Sequence, residues 1–186
     1  MTNRQSIDRV VKLGLLAALS LLMMLIRFPW PPLPFLEYDM ADVPILIGTF
    51  LYGPWWGLLL TAAVCLLQGV TVSAASGVIG ILMHFFATGA FVIVAGSLYR
   101  RPRFHTFRGA LMALVCGSLT MIVMMVPLNL VFTGYFMGTP IASVVALLPA
   151  IILFNAFKAG VNAVITLLLY KLIGRVLKLP FVHGKA

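Results

Sequence analysis

Three polar residues interrupt the last long apolar run of this 186-residue chain: Asn155, Lys158 and Asn162, within LLPAIILFNAFKAGVNAVITLLLY. Their spacing of i, i+3 and i+7 stacks an ammonium and two amides on one helical face. A lone charge at the centre of a bilayer costs at least ~3 kcal/mol on insertion scales, and such residues face a protein interior or an aqueous cavity. The stripe therefore predicts one wall of a small-molecule pocket. The competing reading has Lys158 snorkelling to the nearer interface or pairing with a structural acid. Few other polar groups fall within apolar segments: Gln68, His84 and Asn129.

This inventory points to binding rather than catalysis. The chain has no G-x-x-x-x-G-K-[ST] loop to cradle nucleotide phosphates, no G-x-S-x-G elbow and no H-E-x-x-H pair. His84 has no acid on its own helix, and Ser73 and Ser76, its only serine partners on paper, read as helix caps. Cys65 and Cys116 lack metal-ligand spacing and read as small apolar packing residues. Apart from Asp42 at a helix end, carboxylates are missing from the helical cores, so no ion-coupling site is apparent. No catalytic residue, metal or cofactor is expected.

The elements that hold the stripe follow from composition. With 62% hydrophobic residues, 9% charged residues and a mean hydropathy of +1.12, the chain cannot build a water-soluble surface. The expected fold is an all-α integral membrane protein of six transmembrane helices in a single domain, with helices near 11–27, 41–52, 55–72, 78–98, 109–132 and 144–174. Pro127 should bend the fifth helix or end its regular part, and the sixth is longer than a perpendicular span needs. The run LGLLAALSLLMML after basic residues imitates a signal peptide. It is followed by prolines and not by a small-residue cleavage site, so a retained helix is expected.

The net charge of +9 encodes topology. With six spans and both termini cytoplasmic, 11 of the 13 basic residues lie inside: Arg4, Arg9, Lys12, Arg100, Arg101, Arg103, Arg108, Lys171, Arg175, Lys178 and Lys185. Arg27 and Lys158 remain, while Glu37, Asp39 and Asp42 gather at the outer loop after helix 1. That distribution fits anionic lipid and excludes nucleic acid as a partner. The loop FPWPPLPFLEYDMADVP should form an ordered outer cap, with Trp30, Phe35 and Tyr38 suited to the interfacial belt. Small residues at four-residue spacing, Gly14 with Ala18 and Gly109 with Ala113 and Gly117, allow close helix approach within the chain or with a partner.

Several segments together resemble the substrate-binding S components of energy-coupling factor (ECF) transporters, and among them the riboflavin-specific branch. They are Asp39-Met40-Ala41-Asp42-Val43-Pro44 with the following Ile45-Leu46-Ile47-Gly48, then Tyr52-Gly53-Pro54, Pro127-Leu128-Asn129, and Phe154-Asn155-Ala156-Phe157-Lys158. The resemblance spans about Lys12 to Arg175. It implies an outward-opening pocket under the loop after helix 1, in a bacterial plasma-membrane protein that docks on a T component and two cytoplasmic ATP-binding subunits. It also implies substrate contacts at Asn129, Asn155 and Lys158, a partner contact at Gly14 and Ala18, and riboflavin as transported ligand. The chain departs from the family pattern at Ala41, Leu153, Ala159, Ala63-Val64 and His84, near the pocket or its rim.

An isoalloxazine ring offers a flat apolar surface and a uracil-like edge of alternating donors and acceptors. Asparagine amides match such an edge, and a lysine ammonium adds a stronger, charge-assisted bond. Flavin mononucleotide is disfavoured because its phosphate would want several cations, and only Arg27 and Lys158 lie on the outer half. An S component for another vitamin or small aromatic compound is the alternative. A stand-alone secondary carrier or a membrane enzyme ranks below both.

Overall fold

The computed structural model describes residues 3–176; Lys178 and Lys185 of the expected cytoplasmic cluster lie outside them. Six α-helices are present among these residues: α1 (Asn3–Met24), α2 (Asp42–Tyr52), α3 (Pro54–Val70), α4 (Gly77–Tyr99), α5 (Phe107–Met137) and α6 (Ile141–Val176). The loop after α1 is a two-stranded antiparallel hairpin, β1 (Phe28–Trp30) and β2 (Leu33–Tyr38), so the chain is not wholly α-helical. Its register pairs Phe28 with Tyr38 and Pro29 with Glu37, then slips between Pro29 and Trp30. Prolines cannot donate to a ladder, and a two-stranded ribbon consisting of edges tolerates them.

The bundle is organised around α2. Every residue from Asp42 to Phe50 is buried, and the helix packs against α1, α3, α4 and α6. Its 11 residues end at Gly53, whose φ of 97° suits glycine, and Pro54 then opens α3. Basic side chains surround this end: the Arg9 guanidinium lies 5.9 Å from the Tyr52 ring and 5.1 Å from the Trp56 ring, and Arg100 packs against Gly53. The periphery is the reverse of a soluble protein, with Leu15, Leu59, Leu66, Val123, Val131 and Leu168 all more than half exposed. Three helices, α4, α5 and α6 up to Tyr170, are long and apolar enough to cross a membrane, with mean hydropathies of 2.3, 2.3 and 2.0.

Two helix boundaries differ from the sequence expectation for physical reasons. Helix α1 reaches back to Asn3, through Arg4, Asp8, Arg9 and Lys12, because a helix continues into water once its apolar part is set. Helix α5 runs through Pro127 to Met137, where Gly138 takes the left-handed conformation and donates its N–H to the Gly134 carbonyl. Packed neighbours and side-chain hydroxyls let membrane helices absorb a proline that would break an isolated helix.

The two small-residue stripes have different surroundings. On α5, Ala113 is buried, a Cβ at Gly117 would overlap the Phe91 ring and come within 3.0 Å of Ala95, and one at Gly109 would strike the Phe104 backbone. On α1, Gly14 and Ala18 are exposed, and a Cβ at Gly14 would meet no other part of the protein within 4 Å. Gly117→Leu should therefore wedge α4 from α5 and cost about 1–3 kcal/mol. A drop of several degrees in the melting temperature of the detergent-solubilised protein is expected, with no drop for Gly160→Leu, whose site is open.

Candidate ligand-binding site

The hairpin is fastened to α6 by aromatic and polar contacts. Trp30 packs on Phe154 and Phe157 with ring centroids 5.8 and 5.2 Å away, and Tyr38 meets Phe157 at 5.4 Å. Tyr38 is therefore buried rather than placed in an interfacial belt. Burial lifts its phenol above the usual range, so the hydroxyl keeps its proton and donates to Asn162 Oδ1 at 3.1 Å.

Directly after β2, Asp39 ties three elements together. Its Oδ1 accepts from the Ala41 N–H at 2.9 Å and its Oδ2 accepts from Lys158 Nζ at 2.8 Å. Its carbonyl accepts from Asn162 Nδ2 at 3.3 Å. The Asn162 amide also donates to Asp42 Oδ2 at 3.2 Å. Asp42 Oδ1 in turn accepts from Thr88 Oγ1 at 2.8 Å and from His84 Nε2 at 3.2 Å, and His84 Nδ1 lies 2.7 Å from Gln68 Oε1. Lys158 does not snorkel. Its pair with Asp39 and the His84–Asp42 pair, both largely buried, are joined through a fully buried Asn162.

Above this network lies a cavity of about 200 Å³, walled by Lys158, Asn155 and Phe154 of α6, Asp39 of the hairpin, Gln68 of α3, and His84 and Thr88 of α4. Its mouth carries Arg27, which donates to Glu37 at 2.9 Å, to Ser73 Oγ at 2.7 Å and to the Met24 carbonyl at 2.9 Å. A second cavity of about 130 Å³ holds Asn129 and shares Ser76, Gly80, Met83 and Met125 with the first. Each alone is smaller than the ~300 Å³ at the low end for small-molecule sites. The shared methionines are flexible side chains that can repack to join them.

The structure thus brings Asn155 and Lys158 to one wall and sets Asn129 in the adjoining hollow. Asn155 Nδ2 donates to the Ile151 carbonyl at 2.8 Å, leaving Oδ1 as an acceptor. Asn129 donates to the Met125 carbonyl and accepts from Thr133, both at 2.8 Å. Gly14 and Ala18 line neither cavity and are exposed on α1. Sequence reasoning missed Asp39, Asp42, Gln68 and the pairing of His84. The signal was available in the charge pattern: Lys158 shared the outer half with Asp39 and Asp42, and a low-dielectric interior pairs opposite charges.

The chain matches the family model for the "ECF transporter, substrate-specific component" over residues 8–170. It is 29% identical over 174 aligned positions to "Riboflavin transporter FmnP" of Bacillus subtilis (strain 168), covering 88% of this chain and 90% of that one. It is 27% identical over 189 aligned positions to "Riboflavin transporter RibU" of Staphylococcus aureus (strain TCH60), covering 95% of each. Among solved structures it resembles one described as "Structure and mechanism of the S component of a bacterial ECF transporter", with a TM-score of 0.78, 27% identity, and coverage of 93% of this chain and 99% of the other. The chain belongs to the family of ECF transporter substrate-specific components. It is a multi-pass protein of the cell membrane and a transporter subunit rather than an enzyme.

The Lys158 and Asp39 side chains are 14% and 10% exposed, so removing one partner strands a buried charge. Asp39→Asn should cost about 3–5 kcal/mol of stability. The double variant Asp39→Leu with Lys158→Met should recover most of that loss, as read by thermal unfolding in detergent.

Proposed function

We propose that this chain captures riboflavin from outside a bacterial cell as the S component of an ATP-driven importer. The observation that carries this reading is the α6 wall, where Lys158 and Asn155 line a cavity together with Asp39, Gln68 and His84. Both relatives named above are called riboflavin transporters, and the chain aligns with them over most of its length. A ring carbonyl or nitrogen would accept from Lys158, whose ammonium has donors beyond the one given to Asp39, and a ring N–H would donate to Asn155. Asn129, across Met83 and Met125, would meet the ribityl hydroxyls or the ring edge once the two hollows join.

The chain acts here as one six-span membrane unit with both termini in the cytoplasm, which puts the basic loops inside. The hairpin then faces outward over the pocket. Energy comes from two cytoplasmic ATP-binding subunits through a membrane-embedded T component. The open Gly14 and Ala18 face of α1 suits close approach by a T-component helix, since small residues let helix backbones meet in lipid.

Calorimetric titration against a panel of vitamins tests the ligand, and binding of riboflavin with a yellow, flavin-absorbing preparation is the expected result. Heat with a different vitamin and none with riboflavin would move the chain to the alternative S-component reading. Lys158→Ala and Asn155→Ala should each weaken riboflavin binding about ten- to a hundredfold. Gly14→Leu should leave riboflavin affinity unchanged while abolishing co-purification with the T component.

A further inference from the structure

We infer that Gln68 is a ligand-contacting residue that presents its amide N–H groups to an acceptor atom of the cargo, with His84 and Asp42 as the positioning residues behind it. This inference rests on the riboflavin reading above and adds, from α3, a donor to the ammonium and the amide acceptor that α6 supplies.

Gln68 is 4% exposed, lies near the end of α3 and lines the larger cavity with Asn155 and Lys158. Its Oε1 meets His84 Nδ1 at 2.7 Å, whereas its Nε2 makes no hydrogen bond among the described residues. A buried amide N–H without a partner is costly, so a group left this way against a hollow is suited to what fills it.

Which end of the amide faces the cavity follows from charge. Asp42 is 1% exposed, and a carboxylate so deeply buried needs a cation beside it. Lys158 donates to Asp39, which leaves His84 as the hydrogen-bonded counter-ion of Asp42. An imidazolium carries hydrogen on both nitrogens: Nε2 donates to Asp42, and Nδ1 donates to the strongest acceptor beside it, an oxygen in preference to the nearby Cys65 sulfur. The oxygen in reach is Gln68 Oε1, and fixing it there turns the NH2 group toward the ligand. Gln68 thus offers donors where Asn155 offers an acceptor, and the pair distinguishes the two ends of a polar edge.

Purified wild-type protein and two variants, Gln68→Glu and Gln68→Leu, would be titrated with riboflavin. Glutamate keeps an oxygen for His84 but replaces the N–H donors, and leucine removes both. A ten- to a hundredfold loss of affinity in each variant is expected, with a changed visible absorption spectrum of the bound flavin in Gln68→Glu. Wild-type affinity in both variants overturns the inference while leaving the riboflavin reading standing; no riboflavin binding by the wild-type protein overturns both. Should either variant fail to fold, the structure of the wild-type riboflavin complex decides. Gln68 Nε2 within hydrogen-bond distance of a flavin acceptor is the expected geometry, and a flavin out of its reach overturns the assignment. The imidazole 15N shifts of His84 test the positioning role: two protonated nitrogens at neutral pH are expected, and a neutral tautomer overturns it.

Discussion

The bond between Lys158 and Asp39 fixes the geometry on which the site depends. It joins the middle of α6 to the residue where the hairpin turns into α2, across 119 positions of sequence. Each charge alone would be expensive at this depth, and their attraction in a poorly screened interior offsets part of that cost only in good geometry. The surrounding hydrogen bonds supply that geometry. Asp39 is held by the Ala41 N–H, its carbonyl by Asn162, and Asn162 in turn by Tyr38 and Asp42. The hairpin is therefore seated on the bundle by polar contacts at its root and by Trp30 and Tyr38 on the α6 phenylalanines further out.

The contact of His84 with Asp42 lies on the opposite side of Asn162 and extends the network to α3 and α4. Four helices and the hairpin thus converge on a cluster of two acids, a lysine and a histidine. Above it the cavity wall alternates polar groups on α3, α4 and α6 with methionines and Phe154. The proposed cargo, flat and apolar with one hydrogen-bonding edge, has the complementary pattern. The methionines shared between the two hollows are the compliant part of an otherwise tightly bonded site.

Much of this was legible before any coordinates because lipid leaves few choices. Apolar runs in a bilayer must close their own backbone hydrogen bonds, so six helices could be read, although α1 begins eight residues and α5 ends five residues beyond the expected bounds. A lysine and two asparagines in one such run marked α6, and Asn155 with Lys158 indeed share a cavity wall. What sequence spacing does not encode is who stands opposite. Asp39 and Asp42 read as loop acids because their partners lie more than 40 residues away, and His84 read as isolated because its acid belongs to another helix. The hairpin was hidden by Pro29, Pro31, Pro32 and Pro34, which speak against strands in a wide sheet but not in a two-stranded ribbon. Asn129 was identified as a polar group in the right half of the bundle, yet its separation from Asn155 by a methionine wall depends on side-chain packing.

The shortness of α2 has a further meaning. Eleven helical residues extend about 17 Å, little more than half of a ~30 Å hydrocarbon layer. Arg9 and Arg100 pack beside its Gly53 end, and in the proposed topology these cations lie at headgroup level, with the Asp42 end well inside the membrane. The chain must descend from the surface to meet it, and the hairpin is that descent. One truncated helix thus acts as a depth gauge, determining how far beneath the water line a cargo molecule sheds its hydration and comes to rest.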